Sequence, residues 1–317
     1  MALIDQMHSL RLLEYLQGLL RNSRYTTTYK FAVLHALCDL SLELAPGERR
    51  LALDRLSERT IELYWQQVVP FHPPGSRASF ALRMATGGRA AAVTLVDRMH
   101  AKHDGRLSGA RRSGRMRDYT KSMLAVLRKD VLKRLQPAGV EPFLYRVPVS
   151  GDELELLPGV PETLRRFSGL LTDMIEARWT AWVEQRNPEV AGSDMLRRHL
   201  FAPNREVLRA VVPMMLDLQT ATCFYSGARL TARTAEVDHF LPWSLTHNNS
   251  VGNLVLATKT ANLKKRDSLP TATHKRKWDS RNSHHAAALA QLAGETGLPW
   301  QPDGLAQLAD WLYRRSA

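Results

Sequence analysis

The feature that most restricts the fold is a pattern of two short strands and a helix within residues 223–270. The sequence Glu-Val-Asp-His at 236–239 predicts a short strand, and Pro242 then directs the chain into a polar loop. Residues 252–257 (GNLVLA) are almost continuously apolar and predict a second strand, and residues 258–267 predict a short helix. A strand, a loop, a strand and a helix in this order bring Asp238, His239 and Asn262 toward one place.

This segment resembles the ββα-metal unit of the HNH endonucleases. The residues that carry the resemblance are His239 in Asp-His, Asn253 in GNLVLA, and Asn262 in Asn-Leu-Lys-Lys. The sequence Arg-Asp-Ser-Leu-Pro that follows is also similar to this family, including the HNH domain of RNA-guided DNA-cutting effectors. The resemblance covers roughly fifty residues, and its strength lies in having every element in order at compatible spacing.

The resemblance implies a role for each matching residue. His239 is the expected general base, since an imidazole can take a proton from water near neutral pH. Asp238 and Asn262 are the expected ligands of one Mg²⁺ or Mn²⁺ ion, because hard cations prefer carboxylate and amide oxygens. Asn253 is expected to hold the loop that orients the base. Lys265 is expected to neutralise charge that develops on the phosphate, although a solvated helix lysine is an alternative.

Many HNH units also bind a structural zinc ion through two Cys-x-x-Cys pairs. The corresponding positions of this chain are Cys223, Ser226, Thr258 and Ala261. A structural zinc site needs about four Cys or His ligands. We therefore expect no structural zinc, and we expect apolar packing near Cys223 to replace it.

Composition and charge agree with a folded protein that binds a polyanion. The chain has 317 residues, of which 44% are hydrophobic, and a formal net charge of +13. Nucleic acid and an anionic membrane both fit this charge, but no apolar run is long enough to span a membrane. Two cysteines and an N-terminus unlike a secretory signal predict a cytoplasmic protein.

The basic residues concentrate between Lys102 and Arg134 and again after Asn262. Residues 105–117 mix glycine, serine and arginine, which predicts an exposed flexible loop that grips phosphates. The alternative for such a run is a solvated charged surface. The predicted nucleic-acid contacts are Arg111, Arg112, Arg115, Arg117, Lys264, Arg266, Lys275 and Arg276.

The rest of the chain reads as mainly α-helical. Apolar residues at helical spacing predict helices over 1–21, 29–44, 51–69 and 118–136. Residues 143–147 and 153–157 predict a β-hairpin, which with the preceding basic helix could form a winged-helix-like DNA reader or plain scaffold. Ala191-Gly192-Ser193 marks the predicted boundary between a helical domain (1–191) and a nuclease domain (192–317, core 221–270).

Together these features predict a metal-dependent HNH DNA endonuclease that nicks as a monomer and could cut both strands as a dimer. Similar architectures occur in prokaryotic restriction and phage-defence systems, which suggests this biological role and allows a protein partner. Two alternatives stay open: an RNA-directed HNH nuclease, and a non-catalytic nucleic-acid-binding protein that keeps the ββα unit.

Overall fold

A computed structural model describes residues 2–22, 25–45, 47–73, 78–136, 141–146, 151–190, 194–201, 205–246, 248–296, 298–300 and 302–316. These residues are mainly helical, as predicted, and their strands form two short two-stranded sheets. Contacts between Cα atoms divide the chain into two compact units, Met1–Ala202 and Pro203–Ala317. The predicted boundary at 191–193 lies outside the described residues, so the domain limits stay a prediction. No described helix is both long and apolar enough to cross a membrane.

The first unit is built from helices and one small sheet. Its helices are α1 (Ala2–Asn22), α2 (Tyr29–Ser41), α3 (Leu53–Gln67), α4 (Ala91–Lys102), α5 (Leu107–Arg112), α6 (Met116–Asp130), α7 (Val160–Arg166), α8 (Ser168–Arg186) and α9 (Asp194–Phe201). Its strands are β1 (Arg50–Ala52) and β2 (Glu153–Glu155). Helix α2 is apolar on nearly every side and is buried along most of its length, with α3, α7 and α8 packed around it.

A network of ion pairs lies between the helices of this unit. His35 on α2 contacts Asp39 through Nδ1 at 2.9 Å and Glu176 on α8 through Nε2 at 3.4 Å. Arg59 on α3 also bonds Asp39, at 2.7 Å, and bonds Glu62 at 2.8 Å. Buried charges are tolerated only when they are paired in this way. The network therefore sets how α2, α3 and α8 pack against one another.

The two segments of the predicted hairpin pair only in part. Tyr145 forms an antiparallel bridge with Leu156, and the amide of Leu157 donates to the carbonyl of Leu144 at 2.9 Å. Residues 147–150 lie outside the described residues, and strand β2 pairs antiparallel with β1, with Leu51 opposite Leu154. The helix predicted over 51–69 begins later than expected, because residues 51 and 52 belong to strand β1 and α3 begins at Leu53. A three-residue strand is too short to show a periodicity, and its partner lies about a hundred residues away, so local sequence could not reveal it.

The basic segment 105–117 is also more ordered than predicted. It contains α5 and leads directly into α6, and Ala110 is fully buried. The Trp65 indole donates a hydrogen bond to the carbonyl of Gly105 at 3.0 Å, which ties the segment to α3. Arg112, Arg115 and Arg117 nevertheless remain exposed to solvent.

The second unit contains the predicted strand-loop-strand-helix pattern. Its strands are β3 (Glu236–His239) and β4 (Leu254–Ala257), with a 3-10 turn at Val251–Asn253. Its helices are α10 (Arg205–Ala210), α11 (Val212–Leu218), α12 (Trp243–Thr246), α13 (Lys259–Lys265), α14 (Ala272–His284), α15 (Ala286–Thr296) and α16 (Pro302–Ser316). The core of this unit includes Cys223 and Leu256 together with Leu289 and Leu292 on α15.

The ion pairs of His35 lead to a pH-dependent stability. Burial alone would lower the pKa of His35, but the carboxylates of Asp39 and Glu176 outweigh it and raise that pKa to about 9. The unfolded chain holds this proton with a pKa of about 6.5, so protonated His35 stabilises the fold fully below pH 6.5. This stabilisation is lost as the pH rises through the folded-state pKa of about 9. The free energy of unfolding of the wild type should fall over this window by on the order of 3 kcal/mol more than that of His35→Gln.

Denaturant unfolding of both proteins across this pH window, followed by circular dichroism, measures the difference. Parallel stability curves for wild type and variant would show that His35 is not held as a cation.

Candidate active site

The site is built on the two-stranded sheet of β3 and β4. They pair antiparallel, with Asp238 opposite Val255 and His239 opposite Leu254. All four residues of β4 are buried, which agrees with their continuous apolar sequence. The pairing continues past the strand ends, because the amide of Phe240 donates to the carbonyl of Asn253 at 2.7 Å. His239 is thus the last residue of β3, at the point where the chain leaves the sheet.

Asn253 holds the loop that follows His239. Its side chain is fully buried, and its Oδ1 accepts a hydrogen bond from the amide of Leu241 at 2.8 Å. Its Nδ2 donates to the carbonyls of Leu241 at 3.1 Å and of Asn248 at 3.0 Å. One side chain therefore bonds both ends of the loop, which is the arrangement expected for a residue that orients the base.

Helix α13 docks on β3 through polar side chains. It begins at a good N-cap, since the Thr258 side chain accepts a hydrogen bond from the amide of Ala261. Asn262 donates from Nδ2 to Glu236 Oε2 at 2.9 Å. One turn later, Lys265 donates from Nζ to the carbonyl of His239 at 2.8 Å. Residues three apart share a helix face, so these two side chains both meet β3.

Asp238 is held by two donors. The Tyr225 hydroxyl donates to its Oδ2 at 2.5 Å, and Lys265 Nζ lies 3.2 Å from the same oxygen. Both Asp238 and Lys265 are largely buried, with side chains 10% and 7% exposed. Burial and the neighbouring Asp238 carboxylate raise the pKa of Tyr225 far above its ordinary value, so the phenol stays protonated and acts as a donor.

His239 lies in a setting that keeps it neutral. Burial is the largest influence and lowers its pKa, and the Lys265 cation acts in the same direction. Asn249 and Asp238 act in the opposite direction but do not outweigh these two. The imidazole bonds Asn249 through Nε2 at 2.8 Å and lies 5.2 Å from the Trp243 ring between centroids. A neutral imidazole at neutral pH is the form that can accept a proton.

The oxygen atoms of this site suit a hard cation. Asp238 supplies a carboxylate, and Asn262 directs its Nδ2 toward Glu236, so its Oδ1 is free of hydrogen bonds to described residues. Glu236 lies two residues before Asp238 in β3, on the same face of the strand. Magnesium binds such sites through one or two protein oxygens and completes its shell with water and phosphate. Among the described residues, no group of three His, Cys, Asp or Glu side chains forms a metal site.

The four positions considered above for a structural zinc site are joined by hydrogen bonds. The amide of Thr258 donates to Cys223 Sγ at 3.4 Å, and the Thr258 hydroxyl caps α13. Burial raises the pKa of the Cys223 thiol, but hydrogen bonds from Ser226 and from nearby backbone amides outweigh burial and lower it. Phe224, beside Cys223, is buried and packs edge-on against Phe240 at 5.7 Å between centroids.

The C-terminal helices hold the turn that precedes Asn253. The carbonyl of Gly252 accepts hydrogen bonds from Trp278 at 2.7 Å, Arg281 at 2.8 Å and Asn282 at 3.2 Å, all on α14. A Cβ atom on Gly252 would lie 2.6 Å from the Trp300 ring. The turn therefore needs glycine, because no side chain fits between the backbone and this ring.

The predicted nucleic-acid contacts separate into two groups. Lys264, Arg266 and Arg276 are exposed in the second unit, and Arg112, Arg115 and Arg117 are exposed in the first. Two other residues are already held by carboxylates. Arg111 bonds Glu58 and Glu62 on α3, and Lys275 bonds Asp279 and Asp310 at 2.8 Å each. Because carboxylates already neutralise their charges, Arg111 and Lys275 are less suited to phosphate contact than the exposed residues.

Sequence reasoning did not find three residues that contact the site. Glu236 could have been found, since it lies two positions before Asp238 and shares its face of the strand. Asn249 lies in a polar loop, where no local pattern distinguishes it from Asn248. Tyr225 reaches Asp238 only because the segment after Cys223 folds back toward the sheet. The backbone amide of the preceding residue, Phe224, donates to the carbonyl of Leu256 in β4 at 2.9 Å and so fixes this segment against the sheet.

Comparison with known families agrees with this geometry. The family model of the HNH endonucleases matches residues 223–271, which confirms the resemblance for this segment and indicates nuclease activity. Nucleases of this kind act on nucleic acid. Comparison with curated proteins and with solved structures gave no match.

Trp300 and Leu305 lie so close to Gly252 that replacing this glycine by alanine should destabilise the fold, whereas the same change at an open glycine should not. Gly252→Ala should lower the free energy of unfolding by about 1–3 kcal/mol, because the new methyl group must displace Trp300 and Leu305. Gly294→Ala is the matched control, since a Cβ there meets nothing within 4 Å and Gly294 lies inside α15. Alanine in that helix should be neutral or stabilise by about 0.5–1 kcal/mol.

Thermal unfolding of the two variants beside the wild type checks this. Equal transition temperatures for Gly252→Ala and Gly294→Ala would contradict the close contact.

Proposed function

We propose that this protein is a metal-dependent DNA endonuclease that hydrolyses phosphodiester bonds at the HNH unit of residues 223–271. The observation that carries the proposal is that Asp238 and His239 lie in β3 beside helix α13, whose Asn262 bonds Glu236 and whose Lys265 bonds Asp238 and the carbonyl of His239. These side chains supply the base, the cation ligands and the positive charge that this hydrolysis requires.

His239 acts as the general base. Its neutral imidazole takes a proton from a water molecule, which then attacks the phosphorus atom. Lys265 bonds both the backbone carbonyl of His239 and the side chain of Asp238. The position of the carboxylate relative to the residue that carries the base is therefore fixed. Asn253 holds the loop beyond the base and so limits the positions that the ring can reach.

Asp238 and Asn262 would hold one Mg²⁺ or Mn²⁺ ion. Such an ion neutralises phosphate charge and stabilises the departing 3′-oxygen. Glu236 positions the Asn262 amide by accepting from its Nδ2, which leaves Oδ1 for the ion. The Tyr225 hydroxyl steadies the Asp238 carboxylate through a hydrogen bond to Oδ2. No structural zinc is part of the proposal, because Cys223 supplies the one thiol among the four matching positions.

Lys265 balances the charge of Asp238. A phosphate oxygen that approaches this carboxylate comes within reach of the ammonium group, which can stabilise the charge of the transition state. Lys264, Arg266 and Arg276 are exposed in the same unit, where they are suited to contact backbone phosphates of the substrate.

The first unit supplies a second basic surface for DNA. Arg115 and Arg117 are exposed at the start of α6 and form no ion pair with a described residue, and Lys121 follows one turn later on the same exposed face. Arg112 is exposed immediately before them. Exposed arginines at this density favour phosphate contact, since each neutralised phosphate releases counterions.

One such site cleaves one strand, so the monomer would nick DNA and a dimer could cut both strands. We place this activity in the cytoplasm, in a prokaryotic restriction or phage-defence system that could include a protein partner. The support is the combination of a helical basic unit with an HNH unit.

Removing the base should abolish cleavage without unfolding the protein. His239→Ala should lower the rate of nicking of supercoiled plasmid in Mg²⁺ by about 10²–10⁴-fold, the usual contribution of a general base. His284→Ala, an exposed histidine near the end of α14, is the matched control and should keep the wild-type rate. Gel analysis of nicked and linear plasmid measures the rate.

The same incubation with RNA in place of plasmid distinguishes the alternatives. Cleavage of RNA but not DNA, lost in His239→Ala, would favour the RNA-directed nuclease. Binding of nucleic acid without cleavage in Mg²⁺ or Mn²⁺ would favour the non-catalytic protein. Equal cleavage by wild type and His239→Ala would contradict the assigned base.

The basic surface of the first unit should contribute to affinity in a salt-dependent manner. The double variant Arg115→Gln, Arg117→Gln should bind duplex DNA more weakly, and its slope of log affinity against log salt should be smaller by about 0.9 per lost phosphate contact. Arg50→Gln, Arg178→Gln removes the same charge from other exposed positions and serves as control. Fluorescence anisotropy at several salt concentrations measures both slopes, and equal slopes for the two double variants would contradict the proposed surface.

A further inference from the structure

We propose that Asn249 is a positioning residue that fixes the orientation and the tautomer of His239, so that Nδ1 is the nitrogen that accepts the proton. This inference rests on the proposed function, since it assigns one atom of the proposed base. It concerns a loop residue, ten positions after His239, that lies outside the residues on which the family resemblance was drawn.

The first step is the hydrogen bond between the two side chains. His239 Nε2 lies 2.8 Å from Asn249 Oδ1. An amide oxygen can only accept a hydrogen bond, so Nε2 must carry the hydrogen. In a neutral imidazole the other nitrogen, Nδ1, then holds the lone pair. Among the described residues none forms a hydrogen bond with Nδ1, and the proposal assigns this nitrogen to the attacking water molecule.

The second step is that the loop around Asn249 is itself fixed. The carbonyl of Asn248 accepts from the buried Asn253 at 3.0 Å, and the Asn248 side chain accepts from the amide of Ser250 at 2.8 Å. The Asn248 amide lies 3.3 Å from the Thr246 hydroxyl, which donates to the carbonyl of Pro242. The residues on both sides of Asn249 therefore have little freedom, and its amide is held toward the ring.

The third step connects Asn249 to Asn253. The Asn253 side chain forms no hydrogen bond with the His239 imidazole. Its three hydrogen bonds are with the backbone of Leu241 and Asn248. Asn248 precedes the residue that does bond the ring. The effect of Asn253 on the base therefore passes through Asn249 as well as through Leu241, which follows His239 by two residues.

The consequence for catalysis is specific to the tautomer. A ring that loses the Asn249 bond can carry its hydrogen on Nδ1 and direct its lone pair at Nε2, away from the water. Positioning partners of this kind typically change activity by about 10–100-fold when they are removed. The loss should affect kcat and leave KM nearly unchanged, because Asn249 acts on the ring and not on the bound substrate.

Two variants test this. Asn249→Ala removes the acceptor and should lower kcat by about 10–100-fold. Asn249→Asp keeps an oxygen acceptor of the same size and should lose less of kcat than Asn249→Ala does, at a pH high enough to keep the ring neutral beside the new carboxylate. Equal and large losses in both variants, or no loss in Asn249→Ala, would overturn the proposal.

Nuclear magnetic resonance of protein labelled with ¹⁵N at histidine provides the second readout. The spectrum of the wild type should show the His239 ring as the Nε2–H tautomer, with its signals assigned by their absence in His239→Ala. In Asn249→Ala the ring should show a mixture of tautomers. A wild-type ring with its hydrogen on Nδ1, or an unchanged ring in Asn249→Ala, would overturn the proposal.

The spectrum requires no cleavage, so it separates the two ideas. A wild type that cuts neither DNA nor RNA contradicts the proposed function, whereas the tautomer measurement still decides the role of Asn249.

Discussion

The hydrogen bonds of the buried Asn253 amide are the interaction on which the geometry of the site depends. This side chain bonds Leu241 just after β3 and Asn248 just before the 3-10 turn, and so closes the loop between the two strands. An unpaired polar group at such a buried position is costly, so the three bonds are made together or the loop opens. His239 precedes this closed loop, and Asn249 lies within it.

The loop is in turn supported by α14 and α16. The carbonyl of Gly252 accepts from three side chains of α14, and Trp300 and Leu305 occupy the space that a Cβ atom on Gly252 would need. The four positions considered for a structural zinc site hold a thiol, two hydroxyl side chains and an alanine. Helix packing and hydrogen bonds to the carbonyl of Gly252 therefore hold this part of the unit in place.

Charge is distributed differently in the two units. In the first, acidic side chains on α2, α3 and α8 neutralise His35, Arg59 and Arg111 between the helices, while Arg115 and Arg117 stay exposed. In the second, Lys265 neutralises Asp238, and Lys275 ties α14 to α16 through Asp310. A count of basic residues overestimates the surface available to nucleic acid, because part of that charge serves internal ion pairs.

The sequence alone determined the ββα order and the positions of Asp238, His239 and Asn262, because this unit is formed by residues close together in the chain and its pattern is local. Only the tertiary structure decided which residues support them. Tyr225 and Asn249 reach the site through chain reversals, and β1 finds its partner about a hundred residues away. It likewise decided that Arg111 is paired while Arg115 is exposed. Such choices depend on long-range packing and on competition between carboxylates and solvent for each charge, and neither leaves a periodic signal in the sequence.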